Sequence, residues 1–224
     1  MAPLPYSRLV TDLGLSDGHR MMVEAVPPGT RVLDVGCAAG YLAAPLAAAG
    51  CRVTGVESDA AAADSAREHC ESVTVGDFER PETRAALPGP FDVVIFGDVL
   101  EHMADPWSAL EATAELLAPG AIVIASIPNI AHWSARLQLL RGRFPQAESG
   151  LFDATHLRFF TRRSARELAT RTGYRVEREQ FTRWAMPLGP LAGLVPASVE
   201  SAFARFRPEL FALQFVLTLR RAAA

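Results

Sequence analysis

The sequence predicts a single α/β domain in which a parallel sheet is covered by helices on both faces. Short apolar segments alternate with segments of helical periodicity, which is the pattern of strands joined by helical crossovers. Several of the apolar segments show no alternation with polar residues, as expected for strands that are buried on both faces. A length of 224 residues, half of them hydrophobic, is enough for one well-filled core.

The first half of the chain contains five predicted strands and three predicted helices. The helix that follows the fourth strand is expected to begin at Asp105-Pro106, because proline is favoured in the first turn of a helix. It is expected to end at Pro119-Gly120. The strands are predicted at 31–35, 52–57, 72–75, 91–96 and 121–126, and the helices at 40–49, 59–70 and 106–117.

The second half contains one predicted helix and two predicted strands. The helix covers 162–172, begins after Thr161 and ends at Gly173. The remaining strands are predicted at 174–184 and 210–219, so the sheet has about seven strands in all. The span 128–160 fits no regular element, and a span of that length inside a compact domain is usually functional.

The number of cysteines and the hydropathy of the chain indicate the compartment in which the protein is expected. The three cysteines form no CxxC pair, and an odd number of cysteines without a signal peptide indicates a reducing compartment. We therefore expect a cytoplasmic protein. The longest apolar stretch, 210–219, has about ten residues, whereas a helix needs roughly twenty to cross a bilayer. No membrane segment is predicted.

The net charge of −3 hides an asymmetry along the chain. Residues 1–135 carry 7 arginines against 18 acidic residues, while residues 136–183 carry 11 arginines against 5 acidic residues. An acidic region suits a cationic ligand and a basic region suits an anionic one. The alternative is that both are solvated helix surfaces.

A glycine-containing turn follows the first predicted strand. Gly36 and Gly40 enclose it, and such glycines let the backbone turn sharply and let a ligand approach closely. Glu57 follows 21 residues after Gly36, at the tip of the second strand, where doubly wound sheets place an acid that binds ribose hydroxyls. The spacing is not GxGxxG, since position 38 is alanine and position 41 is tyrosine. A nucleoside without a pyrophosphate is therefore the favoured ligand.

Seven sequence blocks follow one another in a characteristic order. They are VLDVGCAAGYL at 32–42, residues 55–59, VGDFE at 75–79, FDVVIFGDVLEHMADP at 91–106, residues 117–120, SIPN at 126–129 and GLFDATHLRFFT at 150–161. Through these blocks the chain resembles the class I S-adenosylmethionine-dependent methyltransferases, and within them a subgroup with DVLEH, IPN and THLRFFT blocks. The resemblance covers roughly residues 6–185, and the order of its blocks makes it specific. It departs from the subgroup at Ala38-Ala39, a change that should leave the turn intact.

The resemblance implies a Rossmann-like, seven-stranded, mostly parallel sheet whose last strand is antiparallel. It also implies S-adenosylmethionine as the cofactor, with Glu57 on the ribose hydroxyls and Asp77 on the adenine amino group. Gly97 and Asp98 would line the side of the cofactor that carries the positively charged sulfur. A cation with two hydroxyls and one amino group favours acceptors at the strand tips. The cofactor-binding residues expected from the motif are Asp34, Gly36, Cys37, Gly40, Glu57, Ser58, Asp77, Phe78, Gly97 and Asp98.

Histidine is the residue best suited to take a proton from a methyl acceptor, because its pKa lies near neutral pH. His102 follows the fourth strand and His156 lies within the irregular span, and these two are the candidate catalytic bases. For His156, a role as a scaffold for the loop is an equal alternative. His19 is expected to be structural in a helical N-terminal segment, residues 1–30, that covers the cofactor. His69 is assigned no role.

A divalent metal is a less favoured alternative. Asp98, Glu101, His102 and His156 resemble the two carboxylates and two histidines that bind a metal in small-RNA 2′-O-methyltransferases. A similar cluster occurs in ubiquinone-pathway O-methyltransferases. Such a metal could bind two oxygens of a diol and acidify one of them.

Two segments are expected to form the acceptor pocket, 128–160 and 186–208. The second could instead form an oligomer contact, and the protein is expected to be a monomer or a homodimer. Tyr6 is a candidate lid over the cofactor. For Phe159, and for its neighbour Phe160, packing is favoured over ligand contact. Residues available to line the pocket are Asn129, His132, Trp133, Arg136, Phe144, Phe152, Arg158 and Phe159.

We therefore expect transfer of a methyl group from S-adenosylmethionine to an oxygen or nitrogen of a small molecule. A sugar, a nucleotide-linked sugar or a natural-product intermediate is the expected acceptor, given the aromatic residues and arginines of 128–160. A metal-assisted RNA-end methyltransferase is one alternative, but the net negative charge and the lack of a continuous basic patch disfavour nucleic acid. A module that binds the cofactor without catalysis is another.

Overall fold

The structure is a computed structural model that describes residues 15–182 and 197–222. The first half contains helices α1 to α5 and strands β1 to β5. In chain order these are α1 (Asp17–Ala25), β1 (Arg31–Val35), α2 (Ala43–Ala48), β2 (Arg52–Glu57), α3 (Ala60–Ala66), β3 (Ser72–Val75), α4 (Pro81–Ala85), β4 (Phe91–Gly97), α5 (Pro106–Ala112), a 3₁₀ turn (Thr113–Leu116) and β5 (Leu117–Pro128).

The second half adds four helices and two strands. Helix α7 begins after Thr161, whose side chain and that of Ser164 form a reciprocal capping box. In chain order the elements are α6 (Trp133–Leu140), α7 (Arg162–Arg171), β6 (Tyr174–Phe181), α8 (Ala197–Phe206), α9 (Pro208–Phe211) and β7 (Gln214–Arg221).

The strands form one seven-stranded sheet in the order β3-β2-β1-β4-β5-β7-β6. Strands β1 to β5 pair in parallel, while β7 pairs antiparallel with both β5 and β6. The last strand of the chain is therefore antiparallel, and the predicted fold class is confirmed. The order reverses between β1 and β4, which is the position where doubly wound sheets bind ligands.

Alternate residues of the strands pack into two separate cores. Val94 and Phe96 of β4 contribute to the core that includes helices α5 and α7. Val93 and Ile95 contribute to the core that includes α1 and α2. All four side chains are fully buried, so the sheet is covered on both faces as the continuous apolar runs predicted.

Several element boundaries differ from the sequence prediction. Helix α3 ends at Ala66 rather than at residue 70, and β5 covers Leu117–Pro128 rather than 121–126. Helix α2 begins at Ala43 rather than at residue 40, because Gly40 has a φ of 80° and still belongs to the turn. The helix predicted over 106–117 stops at Ala112 and tightens into the 3₁₀ turn before β5. The strand predicted from residue 210 starts at Gln214, because α9 occupies the preceding residues.

The span 128–160 is more regular than predicted, since it contains helix α6. The side chain of His132 caps this helix by accepting from the N–H of Ser134. Asn129 is fully buried, and its amide nitrogen donates to the carbonyl of Ala212 over 2.8 Å. The span is therefore tied to the chain that precedes β7.

Some predictions fall on residues that the structure does not describe. Tyr6, the candidate lid, and residues 186–196 of the second predicted pocket segment lie outside the described ranges. Within the described ranges, none of the helices has the length and hydropathy needed to cross a bilayer.

Candidate active site

The predicted cofactor residues meet at one edge of the sheet, where the parallel strands end. The turn after β1 and the turn after β4 lie side by side, because β1 and β4 are paired neighbours. Glu57 is the last residue of β2, which pairs with β1 on the side opposite to β4. This edge therefore combines the glycine-containing turn with acidic residues from three adjacent strands.

The turn after β1 has the left-handed backbone that its glycines permit. Gly36 has a φ of 70° and Gly40 a φ of 80°, and Ala38 between them has a φ of 45°. The N–H groups of Gly36 and Cys37 both donate to the carbonyl of Val56, over 2.8 Å and 3.1 Å. The turn is thus fixed against β2, and Ala38 pays a steric cost that a glycine would avoid.

Close packing adds a second requirement for glycine at both ends of the turn. A Cβ at Gly36 would lie 2.6 Å from Cγ2 of Val99, which belongs to the turn after β4. A Cβ at Gly40 would lie 3.1 Å from the Cα of Ala66 in α3. The DVLEH block therefore packs directly on the glycine turn, and the two motifs form one surface.

Glu57 joins the turn after β1 to the start of α3. Its Oε2 accepts a hydrogen bond from the N–H of Ala38 over 3.0 Å, and its Oε1 accepts from the N–H of Asp59 over 2.9 Å. The hydroxyl of Ser58 donates to the same Oε1 over 3.3 Å. Each carboxylate oxygen can accept more than one hydrogen bond, so this anchored carboxylate also suits two ribose hydroxyls.

Asp34 is a buried carboxyl group in β1. It is only 1% exposed, and its Oδ2 has no hydrogen-bond partner among the residues that the structure describes. Burial, and then the charge of Glu57, raise the pKa of Asp34 to about 7. A cationic ligand at this edge would favour the ionised form, which is consistent with the role that the motif implies.

The buried side chain of Cys37 packs against β2 rather than facing a ligand. Its side chain is 2% exposed, and a Cβ at Gly55 of β2 would lie 2.6 Å from its sulfur. A hydrogen bond with Cys70, and then burial, raise the pKa of the Cys37 thiol, so it is neutral. A cofactor contact by the Cys37 side chain is therefore not supported, and the thiol packs the turn against β2.

Asp77 and Phe78 follow β3 and have different roles. The Asp77 side chain is half exposed, and its Oδ1 accepts from the N–H of Glu79 over 2.8 Å. Phe78 is 3% exposed and packs edge-on against Phe96, with their ring centroids 5.6 Å apart. Asp77 remains suited to an adenine amino group, whereas the Phe78 ring belongs to the core.

Asp98 has an unusual backbone conformation after β4, with a φ of 56°. The Oγ of Ser126 donates to its Oδ1, and Nε2 of Gln214 donates to the same oxygen over 2.9 Å. Gly97, the preceding residue, is closely packed, since a Cβ there would lie 3.2 Å from Cδ1 of Leu42. Ser126 belongs to the SIPN block, but the sequence analysis gave it no role in the site, and Gln214 lies outside every block.

The two candidate bases are neighbours. The rings of His102 and His156 meet edge to face with centroids 4.7 Å apart, and Nδ1 of His102 is 3.1 Å from Oγ1 of Thr155. Burial, and then the charge of His102, lower the pKa of His156. His156 is therefore neutral near pH 7 and can accept a proton there.

Glu101 lies beneath this pair, with its Oε1 4.0 Å from Nε2 of His156. Burial, and then the charge of Asp98, raise the pKa of Glu101 well above its usual range. Neither of its carboxylate oxygens has a hydrogen-bond partner among the described residues.

A metal would fit one part of the predicted ligand set. Glu101, His102 and His156 offer donor atoms that all lie within 4.8 Å of one another. Asp98, the fourth predicted ligand, is instead held by Ser126 and Gln214 through its Oδ1. The arrangement could therefore hold a cation through one carboxylate and two imidazoles.

His19, from α1, is also part of this edge. It is 1% exposed and its ring centroid lies 5.3 Å from that of Tyr41. Burial lowers the pKa of His19, while the charge of Asp98 opposes that effect. The helix predicted to cover the cofactor thus reaches the residues that follow β1 and β4.

The predicted acceptor residues divide into buried and exposed groups. Asn129 and His132 are fully buried and hold the backbone of the span 128–160, so they do not line a pocket. Phe160 is buried in the core as predicted, whereas Phe159 is 40% exposed. Phe144 packs edge-on against both Phe152 and Phe159, at centroid distances of 5.0 Å and 5.4 Å.

Two arginines of this span that were predicted to line the pocket are anchored to nearby backbone. Nε of Arg136 donates to the carbonyl of Ala131 over 2.6 Å. Nε of Arg158 donates to the carbonyl of Ala104 over 3.1 Å, and its guanidinium lies 6.0 Å from the ring of Trp107. Trp133, the remaining candidate, begins α6 and contacts His132 at a centroid distance of 5.4 Å.

A doubly wound sheet with a glycine turn after β1 and acids at the strand tips is the arrangement in which enzymes of this fold class bind nucleosides. The profile of the family described as methyltransferase domain matches residues 8–179. The chain therefore belongs to this methyltransferase family, which confirms the class and the cofactor predicted from the sequence.

Curated relatives match part of the chain. A protein from a Caulobacter species named ubiquinone biosynthesis O-methyltransferase is 39% identical over 105 residues, which is 45% of this chain and 42% of the relative. One of the same name from Thiobacillus denitrificans is 42% identical over 105 residues, 45% of each chain. The chain thus matches less than half the length of these relatives.

Solved structures share the fold across nearly the whole chain. A methyltransferase from Thermotoga maritima, described as a possible histamine N-methyltransferase, superposes with a TM-score of 0.67 at 18% identity, covering 97% of this chain and 95% of that one. The magnesium protoporphyrin IX methyltransferase of Synechocystis, solved with demethylated cofactor, gives a TM-score of 0.61 at 19% identity, covering 97% and 84%. At sequence identities below 20%, these superpositions show a shared fold only.

Proposed function

We propose that the protein transfers a methyl group from S-adenosylmethionine to a hydroxyl oxygen of a small molecule. The single observation that carries this proposal is the position of Glu57. It ends β2 beside the glycine turn, and its carboxylate is fixed by the N–H groups of Ala38 and Asp59. A carboxylate held in this way can bind ribose hydroxyls without reorganising.

When bound, the cofactor supplies a methyl group on a positively charged sulfur. The residues of the chain would then orient the two reactants, exclude water and accept the proton of the hydroxyl. Asp77 suits the adenine amino group, and Asp34 and Asp98 place negative charge near the cationic part. Both lie at the junction of β1 and β4.

His156 is the preferred proton acceptor. Its pKa is lowered by burial, so the ring is neutral and can accept the proton of a hydroxyl. His102, at 4.7 Å between ring centroids, is the second candidate. A neutral base would serve a hydroxyl or a protonated amine, so the choice of oxygen as the acceptor atom rests on the relatives named as O-methyltransferases.

The acceptor class is proposed from the span 128–160. The exposed aromatic rings of Phe144 and Phe159 suit a planar phenol or the apolar face of a sugar ring. Phenols, sugars and nucleotide-linked sugars are therefore the acceptors to test first.

Incubation with cofactor carrying a labelled methyl group tests the proposal. We expect label in phenol or sugar hydroxyls, and none in an equal amount of short RNA. Transfer to RNA alone would favour the RNA-end alternative. Binding of the cofactor without transfer to any acceptor would favour a non-catalytic module. Protein carrying Glu57→Ala, prepared in parallel, is the matched control for contaminating activity.

Metal assistance is a second candidate, supported by the spacing of Glu101, His102 and His156. A divalent ion there could bind an acceptor diol and lower the pKa of one hydroxyl. We favour the metal-free mechanism, and expect activity to survive dialysis against a chelator. Loss of activity on chelation, with recovery on adding Mg²⁺ or Zn²⁺, would establish the metal-assisted alternative.

A further inference from the structure

Gln214 reaches the cofactor edge because β7 runs against the other strands. Gln214 is the first residue of β7, and it pairs with Pro128, the last residue of β5. An antiparallel strand thus brings its beginning, rather than its end, to the edge where the parallel strands terminate. There, Nε2 of Gln214 donates to Oδ1 of Asp98 over 2.9 Å.

Asp98 is held on two sides. Ser126 donates from Oγ to the same Oδ1, and its Oγ accepts from the N–H of Asp98 over 2.9 Å. The φ of 56° at Asp98 is costly for a residue with a side chain, and such conformations cluster at functional sites. The two donors fix the direction of a carboxylate that the backbone alone would not hold.

Gln214 is itself fixed by its surroundings. Its N–H donates to Oγ1 of Thr182 over 3.0 Å, and its carbonyl accepts from the N–H of Thr182 over 3.2 Å. Its amide oxygen lies 2.9 Å from where a Cβ at Gly18 would be. Gly18 in α1 therefore leaves the space that the Gln214 side chain occupies.

We propose that Gln214 is a positioning residue that aims the Asp98 carboxylate at the positively charged sulfur of the cofactor. The inference rests on the proposed function. A carboxylate directed at a cation stabilises the charged cofactor more than the demethylated product, whose sulfur is neutral. The ratio of the two dissociation constants is therefore the property that Gln214 controls.

Calorimetric titration of Gln214→Leu with S-adenosylmethionine and with S-adenosylhomocysteine tests the inference. Leucine has a similar size and removes the donor to Asp98. We expect about tenfold weaker binding of the charged cofactor, since a hydrogen bond to a charged group is lost. Binding of the neutral product should change less, so the preference for the charged form falls. The matched control is Glu24→Ala, which changes an exposed residue of α1.

Gly18→Ala is an independent variant that keeps Gln214. Its Cβ would displace the Gln214 amide, while alanine suits a helix better than glycine does. We expect the same loss of preference for the charged cofactor, and because Gly18 is buried the new contact should also lower the melting temperature slightly. A structural role for Gln214 alone would lower stability without altering that ratio.

The two failures are distinguishable. Wild-type protein that binds neither molecule overturns the proposed function, and this inference with it. Wild-type protein that binds both, with Gln214→Leu and Gly18→Ala keeping the wild-type ratio, overturns the role of Gln214 and leaves the proposed function standing.

Discussion

The N–H of Ala38 donates a hydrogen bond to Oε2 of Glu57 over 3.0 Å, which joins the turn after β1 to the tip of β2. The carboxylate therefore stabilises the left-handed turn, and we propose that it also binds ribose. The two roles can be separated experimentally, because the first acts without ligand and the second only with it.

Glu57→Ala should weaken cofactor binding by about 100-fold or more, since it removes hydrogen bonds from two ribose hydroxyls to a charged acceptor. It should also lower the melting temperature of the ligand-free protein by a few degrees, because the N–H groups of Ala38 and Asp59 lose their partner. Calorimetry and thermal unfolding measure the two effects. Glu68→Ala, an exposed carboxylate, is the control. Unchanged cofactor affinity in Glu57→Ala would remove Glu57 from the site.

Gly36→Ala should destabilise the protein and abolish cofactor binding. A Cβ at Gly36 would lie 2.6 Å from Val99, so the turns after β1 and β4 must separate. Gly50→Ala is a matched control, because Gly50 has a φ of 80° with nothing within 4 Å of its Cβ position. That control measures the backbone strain alone, roughly 1 to 2 kcal/mol. Equal losses of stability in both variants, measured by denaturant unfolding, would contradict the packing argument.

The ligand-free protein should lose stability as the pH rises from about 4 to 8, because of Asp34. Burial raises the pKa of Asp34 from 3.8 to about 7, so over this range the folded state keeps a proton that the unfolded state releases. Asp34→Asn should raise the melting temperature at pH 8 by about 5 °C and change it little at pH 4.

Asp92→Asn is the control of opposite sign. The N–H of Arg31 donates to Asp92 over 2.9 Å, and this hydrogen bond lowers the pKa of Asp92. Asp92 therefore stabilises the folded state above its unfolded pKa and stops doing so in acid. Asp92→Asn should slightly lower the melting temperature at pH 8. If Asp34→Asn showed the same change in melting temperature at both pH values, Asp34 would not be the source.

His156→Ala, which removes the preferred base, should reduce kcat by about 100-fold or more. His102→Ala should also reduce kcat, and neither variant should change cofactor affinity much. The reason is that a base acts on the acceptor hydroxyl, while the cofactor is held by the strand tips. His69→Ala is the control, since His69 is exposed and distant in the chain from both motifs. Full turnover in both variants, measured by transfer of labelled methyl groups, would exclude the two histidines as bases.

The parallel half of the sheet could be predicted from local sequence. Strands β1 to β3 match their predicted bounds. Apolar runs specify buried strands such as β1 and β2, whereas β3 is an edge strand with exposed ends. The position of the strand tips at one common edge could be predicted too, since the carboxyl ends of parallel strands lie at the same edge of a sheet. Glu57 was found in this way, and its position beside the turn is as expected.

Other features depend on contacts between distant parts of the chain. Gln214 could not be predicted, because an antiparallel strand places its first residue at the edge and no spacing rule marks that residue. Helix α6 was missed because its apolar residues do not form one buried face, and Leu140 is 84% exposed. The contact of His156 with Glu101 depends on how 128–160 folds back onto the DVLEH block, where the N–H of Leu157 donates to the carbonyl of Glu101 over 2.8 Å.

The most direct test of the central claim is a calorimetric titration of the wild-type protein with S-adenosylhomocysteine, with a pyrophosphate-containing dinucleotide as the comparison ligand. A turn without the GxGxxG spacing, flanked by Glu57 and Asp77, predicts one site per chain for the sulfur nucleoside and no binding of the dinucleotide. No heat of binding from the sulfur nucleoside up to millimolar concentration would contradict the assignment of this edge as a cofactor site.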